Sequence, residues 1–171
     1  MGNIAKFEPV SRERFTEDIE NAFDINEAAA EEIYKSLKLP VRATVGSAGY
    51  DFFSPADIEI EAGQSVLIPT GIRVKMEPGW VLLLFPRSGL GFKYRFQLDN
   101  SVGVIDQDYY HAKNEGHIMA KMTNDSREGK TLSIKAGQAF MQGVFVPFGT
   151  AEEDEVTAKR ILGFGSTTAN A

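Results

Sequence analysis

Cysteine is absent from the 171 residues, which excludes disulfides, thiolate nucleophiles and cysteine-ligated zinc and leaves the redox compartment unmarked. Positive charge is also scarce: 18 lysines and arginines stand against 24 acidic residues, for a net charge of -6. That balance speaks against bulk binding to nucleic acid or to acidic membranes, which needs clustered cations. One small, highly anionic ligand remains open, provided a few placed arginines and a divalent cation offset the global field. No apolar run approaches membrane-spanning length. The opening "MGNIAKFEPVSRERF" has neither the apolar stretch of a signal peptide nor the sixth-position Ser or Thr of a myristoylation signal. A cytoplasmic protein is the expectation.

What is present is an ordinary globular composition, 43% apolar and 25% charged, at a length that suits one domain with its own core. Two periodicities divide it. From Phe15 to Leu37 apolar residues recur at helical spacing (Phe15, Ile19, Phe23, Ala30, Ile33, Tyr34, Leu37), with a break at Asp24–Ile25, Asn26 as a cap for a second helix, and Pro40 as the terminator. Beyond Pro40 the period falls to two. "IEIEAGQSVLIP", "GIRVKM", "HIMAKM" and "LSIKAGQ" alternate as half-buried strands do, and "WVLLLF" (80–85) reads as a strand covered on both faces. "EAG", "EPG", "REG" and "KAG" supply turns at short intervals. Many short strands imply an all-β sandwich or barrel carrying a helical segment near its N-terminus.

Four stretches could carry chemistry. "FPRSGLG" (85–91) offers a forked donor in Arg87, the Ser88 hydroxyl, and glycines that let backbone approach a phosphate; it also reads as a plain turn. "GSAGYD" (46–51) reads as a tightly packed strand entry ending in an acid. "GVIDQDYYHAKNEGHI" (103–118) gathers Asp106, Asp108, two tyrosines and both histidines. At strand period Asp106 and Asp108 share one face; such a pair could bind a cation, divide into base and supporter, or line a solvated edge. His111 and His117 lie six apart, a poor chelating spacing, and read as loop residues. "GFGST" (163–167), with Arg160 before it, reads as a terminal tail carrying an unexplained aromatic.

Taken in their order along the chain, the stretches resemble the homotrimeric dUTP diphosphatases (dUTPases). The resemblance rests on "ATVGSAGYDFFSP" (43–55), "PRSGLG" (86–91), "DNSVGVIDQDY" (99–109), "GQAFMQGVFVP" (137–147) and "RILGFGSTT" (160–168). It implies a distorted jelly-roll β-barrel assembled as a homotrimer, with three sites shared among the subunits and a flexible C-terminal arm (159–171) closing over dUTP. The implied reaction is attack of water on the α-phosphorus, giving dUMP and pyrophosphate, with Mg²⁺ on the triphosphate.

By this resemblance Asp106 is the general base that orients the water. Arg87, Ser88 and Gly89 form the phosphate cradle, and Asp51 supports the arginine and the metal's water shell. Asn100 and the backbone of Val104 and Ile105 read uracil, with Met119 near the ring. Tyr109 packs beneath the deoxyribose and leaves no room for a 2′-hydroxyl. Gln142 bridges phosphate and sugar contacts, Arg160 meets the γ-phosphate, Phe164 stacks on uracil, and Gly165, Ser166 and Thr167 donate to phosphates. A fixed hairpin that hydrogen-bonds uracil leaves buried groups mispaired against cytosine, which discriminates strongly.

The chain departs from the family pattern in several places. "YHAKNE" (110–115) lengthens the hairpin after Tyr109. Ala139 stands where the fourth motif usually has an arginine, and Leu162 stands where a glycine is common in the fifth. Residues 12–37 read as an inserted helical hairpin, either packed on the outside of the barrel or docking a partner. Two rival functions remain. A dCTP deaminase, or a deaminase–dUTPase hybrid, needs an acid at the pyrimidine C4, for which the segment after Asp106 offers only Glu115. A regulatory binding protein on the same fold would use the nucleotide as a switch.

Overall fold

In the computed structural model, which describes residues 2–157 and residue 160, the change of period at Pro40 separates helices from strands. β1 (Ala5–Pro9) leads into α1 (Arg12–Phe23) and α2 (Glu27–Lys35). Ser11 starts α1 by accepting the Arg14 N–H on its hydroxyl at 3.1 Å. Asp24, left-handed at φ 50°, ends it with its own N–H on the Glu20 carbonyl. Asn26 caps α2 as expected, accepting the Ala29 N–H at 3.0 Å. Each cap satisfies a helix-end amide that has no partner inside the helix, a contribution of about 1 kcal/mol.

Phe15 and Ile19, one turn apart, are fully buried with Val10 and Ala30 in a small core of their own. Phe23, Ile33, Tyr34 and Leu37 close around it, and the Tyr34 hydroxyl donates to the Val10 carbonyl at 2.8 Å. The pair of helices seats on the β-structure at Gly71, where a Cβ would fall 2.5 Å from Leu37 Cδ1. Any side chain there would lift the helices away.

After Pro40 come β2 (Val41–Arg42), β3 (Tyr50–Phe53), β4 (Ile58–Ile60), β5 (Ser65–Pro69), β6 (Ile72–Met76) and β7 (Trp80–Pro86). The short helix α3 (Ser88–Tyr94) is followed by β8 (Phe96–Leu98), β9 (Gly103–Ile105), β10 (Met119–Asn124), β11 (Leu132–Ile134) and β12 (Ala139–Pro147). A five-stranded sheet runs β2-β3-β12-β7-β9, a three-stranded one β5-β10-β8, and β1-β6 and β11-β4 form two ribbons. Between them lies the main core, with Phe52, Leu82, Leu84, Phe96, Ile118 and Phe140 at its centre. The glycines of the four turn tripeptides, at 63, 79, 129 and 137, are all left-handed, as tight turns between strands require.

β7 corrects one expectation. Its apolar run is covered on one face only: Leu82 and Leu84 are buried, whereas Val81, Leu83 and Phe85 are half-buried. Register places Val104 and Val144 on either side of Leu83, so an apolar row crosses the outer face of β9, β7 and β12. Among the described residues no helix is long and apolar enough to cross a membrane.

Candidate active site

Strand register brings one group of candidates together. On β12, Gln142 lies opposite Asp51 of β3 and Phe85 of β7, at the end of the sheet where Arg87 emerges. Arg87 Nη1 sits 3.2 Å from Asp51 Oδ2. Gln142 Nε2 donates to the Pro86 carbonyl at 3.4 Å, and its side chain crosses Gly49, where a Cβ would come within 2.3 Å of Gln142 Oε1. The "PRSGLG" stretch is not a turn. Arg87 occupies the N-cap position and Ser88 and Gly89 form the exposed first turn of α3. Guanidinium, hydroxyl, carboxamide and open backbone therefore converge on one edge, a set suited to phosphate oxygens.

A second group surrounds a pocket of about 470 Å³. Leu67, Leu84 and Leu98 form its apolar walls; Asn100 and Met119, both named from the sequence, line it with Gly103, Asn114 and Lys121, while Val104, Ile105, Asp106 and Tyr109 do not. The volume and the few polar groups suit a nucleoside. Asn100 sits at a tight turn in which Ser101 is left-handed at φ 66°. Beside it β9 ends at Ile105, which is buried, while Val104 is exposed.

Asp106 and Asp108 do share a face, but not through strand alternation. The chain enters a 3₁₀ turn at Gln107–His111, and both carboxylates, about half exposed, take the Arg160 guanidinium. Nε donates to Asp108 Oδ1 at 2.8 Å and Nη2 to Asp106 Oδ2. The guanidinium also lies 5.8 Å from the centre of the Tyr109 ring. Tyr109 is buried, its hydroxyl donating to the His117 carbonyl at 2.8 Å and accepting Asn114 Nδ2–H at 2.7 Å. Burial pushes its phenol up to about 12, so it stays an O–H donor at every working pH. Leu162, Phe164, Gly165, Ser166 and Thr167 lie outside the described residues.

The histidines part company. His111 is exposed, but His117, though in a loop, is fully buried. Its Nε2 accepts the Gly71 N–H at 2.8 Å and its Nδ1 meets Asp18 Oδ2 at 2.6 Å. His117 carries no signal at the level of sequence, since its partners Asp18 and Gly71 lie far away along the chain, whereas Asn114, a lone asparagine in a polar loop, bonds locally to Tyr109 and the His117 carbonyl. Asn114 Oδ1 is buried without a hydrogen-bond partner among the described residues. No group of three or more His, Asp or Glu among the described residues could hold a metal ion.

Arg87 and Asp106 lie apart within one chain. In the β7–β9 ladder Leu84 faces Gly103 and Leu82 faces Ile105. Continued by that register, Arg87 lies level with Asn100 and Asp106 with Val81, roughly 20 Å apart at strand rise.

A dUTPase family model matches residues 35–168. The deoxyuridine 5'-triphosphate nucleotidohydrolase of Lactococcus lactis subsp. lactis is 43% identical over 136 residues, covering 78% of this chain and 89% of the relative. The crystal structure of a dUTPase from Streptococcus mutans superposes with a TM-score of 0.63 at 39% identity, covering 85% of this chain and 98% of that one. The dUTPase of phage phi11 of S. aureus superposes with a TM-score of 0.63 at 22% identity over 91% of this chain and 98% of that one, a likeness of fold.

Proposed function

The chain belongs to the dUTPase family, and from that premise we propose that it hydrolyses dUTP to dUMP and pyrophosphate. The nucleoside-sized pocket between Asn100, Gly103 and Met119, bordered by the hairpin that ends in Asp106, carries this reading. Asp106 aims a water at the α-phosphorus and takes its proton; an in-line displacement needs such positioning and charge neutralisation more than a covalent nucleophile. Arg87, steadied by Asp51, holds phosphate oxygens with Ser88 and Gly89, and Ser88 faces the oxygen that leaves between the α and β phosphates. Asn100 and the Val104–Ile105 backbone read uracil, Met119 flanks it, Tyr109 underlies the sugar, and Gln142 spans sugar and phosphate. For Asp106 to act as a base, Arg160 moves from the Asp106–Asp108 pair to the γ-phosphate, and Phe164 to Thr167 close over the nucleotide.

The donor set fits a metal carried by the substrate. Asp51 is engaged with Arg87 and no three-ligand cage exists among the described residues, so an octahedral Mg²⁺ would draw its ligands from phosphates and water. The phi11 dUTPase is described as coordinating a structural Mg(II) ion. When bound, Mg²⁺ would neutralise triphosphate charge, and Asp51 would orient water around it.

Separation of Arg87 from Asp106 supports assembly as a homotrimer, in which one copy brings Asp106 and Tyr109, another brings Arg87, Ser88 and Gln142, and a third brings the C-terminal segment. The apolar row Val104–Leu83–Val144 gives neighbouring copies surface to bury. The α1–α2 pair is proposed as an insertion into the family domain, a reading supported by a family match that begins at residue 35. Cytoplasmic residence is part of the same proposal.

Pyrophosphate release from dUTP, measured beside dCTP, dTTP and UTP with and without Mg²⁺, is the test. Strong preference for dUTP is expected. Ammonia release from dCTP would favour the deaminase, but Glu115, the acid that reading needs, is held on its two oxygens by Ser11 N–H and Oγ at 2.7 and 2.6 Å and does not line the pocket.

A further inference from the structure

The two segments that depart from the family pattern, the helical pair and the lengthened hairpin after Tyr109, grip each other. Glu115 is left-handed at φ 59°, a conformation that costs a non-glycine residue about 1 kcal/mol or more, and Gly116 follows at φ 71°. Ser11, the cap of α1, clamps that strained turn through two hydrogen bonds to the Glu115 carboxylate. One turn into α1, Arg14 binds Asp18 through Nε at 2.9 Å and Nη2 at 2.6 Å. Asp18 in turn meets His117, ninety-nine positions away. Because His117 Nε2 accepts the Gly71 N–H, the ring proton sits on Nδ1 and is donated to Asp18. The carbonyl of this locked residue is the acceptor of the Tyr109 hydroxyl.

The geometry points to Asp18 and His117 as positioning residues for Tyr109, whose hydroxyl is shared with Asn114 on the pocket wall: α1 braces the hairpin, fixes the height of the Tyr109 ring, and so sets how strictly a 2′-hydroxyl is rejected. This deepens the dUTPase reading and rests on it. A loosened His117 carbonyl lets the ring sink, and the space gained accepts ribose. Sugar contacts persist from ground state to transition state, so the effect falls on KM more than on kcat.

The experiment compares kcat and KM for dUTP and UTP, by pyrophosphate release, in the full-length protein and in Asp18→Ala, Asp18→Asn and Tyr109→Phe. Asp18→Ala is expected to lower the dUTP-over-UTP ratio of kcat/KM about five- to tenfold, with kcat for dUTP within about twofold. Asp18→Asn, which keeps an oxygen for the His117 N–H, recovers most of the ratio. In the Tyr109→Phe background, which lacks the hydroxyl that reads the His117 carbonyl, Asp18→Ala adds little. Exposed Glu32→Ala on α2 leaves the ratio unchanged. A folded Asp18→Ala with the wild-type ratio, or additive effects of Asp18→Ala and Tyr109→Phe, overturns the inference while leaving the dUTPase reading intact. If Asp18→Ala does not fold, Arg14→Gln takes its place: it removes one support of Asp18 and should shift the ratio in the same direction, and an unchanged ratio there overturns the inference equally. A wild-type protein inert towards dUTP would defeat the underlying reading, and the inference with it.

Discussion

The phosphate side and the nucleoside side of the candidate site are built by opposite means. Asp51, Arg87 and Gln142 meet because β3, β12 and β7 are in register, and the Arg87 side chain stays accessible at 43% exposure while Asp51 behind it is only 15% exposed. Tyr109, Asn114 and His117 are held by hydrogen bonds buried under a loop, and the loop is held by a helix from the other end of the chain. A group set by sheet register is held by many backbone bonds at once, so loss of one side-chain contact leaves its frame in place. A group set by a few long-range hydrogen bonds moves when either end of one of them is altered.

Four outcomes sharpen or break this contrast. Asp106→Asn should have the largest effect, lowering kcat for dUTP by about 10² to 10⁴-fold with nucleotide affinity retained, as measured by single-turnover kinetics and calorimetry. Wild-type turnover would remove the base. Arg87→Ala should cost about 10²-fold in kcat/KM for dUTP and UTP alike, because phosphate contacts are common to both sugars; a change in sugar preference would show that the two sides are not independent. Gly116→Ala should act through the fold. Its Cβ would lie 2.8 Å from the Tyr109 carbonyl oxygen and the Tyr110 Cα, at a φ that already disfavours alanine. A loss of at least about 2 kcal/mol, seen as a drop of several degrees in Tm, is expected together with weaker dUTP preference.

The smallest effect is that of pH. Burial raises the Asp18 pKa, but the His117 and Arg14 contacts outweigh it, so the carboxyl lies below its ordinary value. Glu115 behaves likewise, with burial opposed by the Ser11 hydrogen bonds and by the charges of Arg73 and Arg14. A lowered folded-state pKa contributes stability above the ordinary carboxylate range and loses it as pH falls through the lowered values. Amide exchange of α1 should therefore accelerate in acid before that of β7 and β12; simultaneous loosening would mean that the helical pair is not a separate brace.

Much of the fold is legible from pattern. Asn26, the break after Phe23 and the glycine turns are local decisions, made by one residue's hydrogen-bonding or φ preference within a few positions, and they stand where expected. Arg87, Asp51 and Gln142 are legible as members of motifs, and register brings them together. Asp108 shares a face with Asp106 for a different reason than alternation, because strand period stops at Ile105 and a 3₁₀ turn takes over. His117 lies in a loop, as its sequence context suggests, but its burial is invisible there: nothing within ten residues of it foretells a carboxylate on α1. Asn114 bonds locally, to Tyr109 and the His117 carbonyl, but a lone asparagine in a polar loop does not announce that role. Contacts spanning a hundred residues leave no periodicity to read.

The ladder that sets Arg87 and Asp106 at opposite ends of β7 and β9 has a genetic consequence. If one pocket takes its base from one polypeptide and its cation from another, two inactive alleles can complement. Coexpressed Asp106→Asn and Arg87→Ala polypeptides would form mixed assemblies in which some pockets unite the intact half of each, and activity would return to a mixture of two dead proteins.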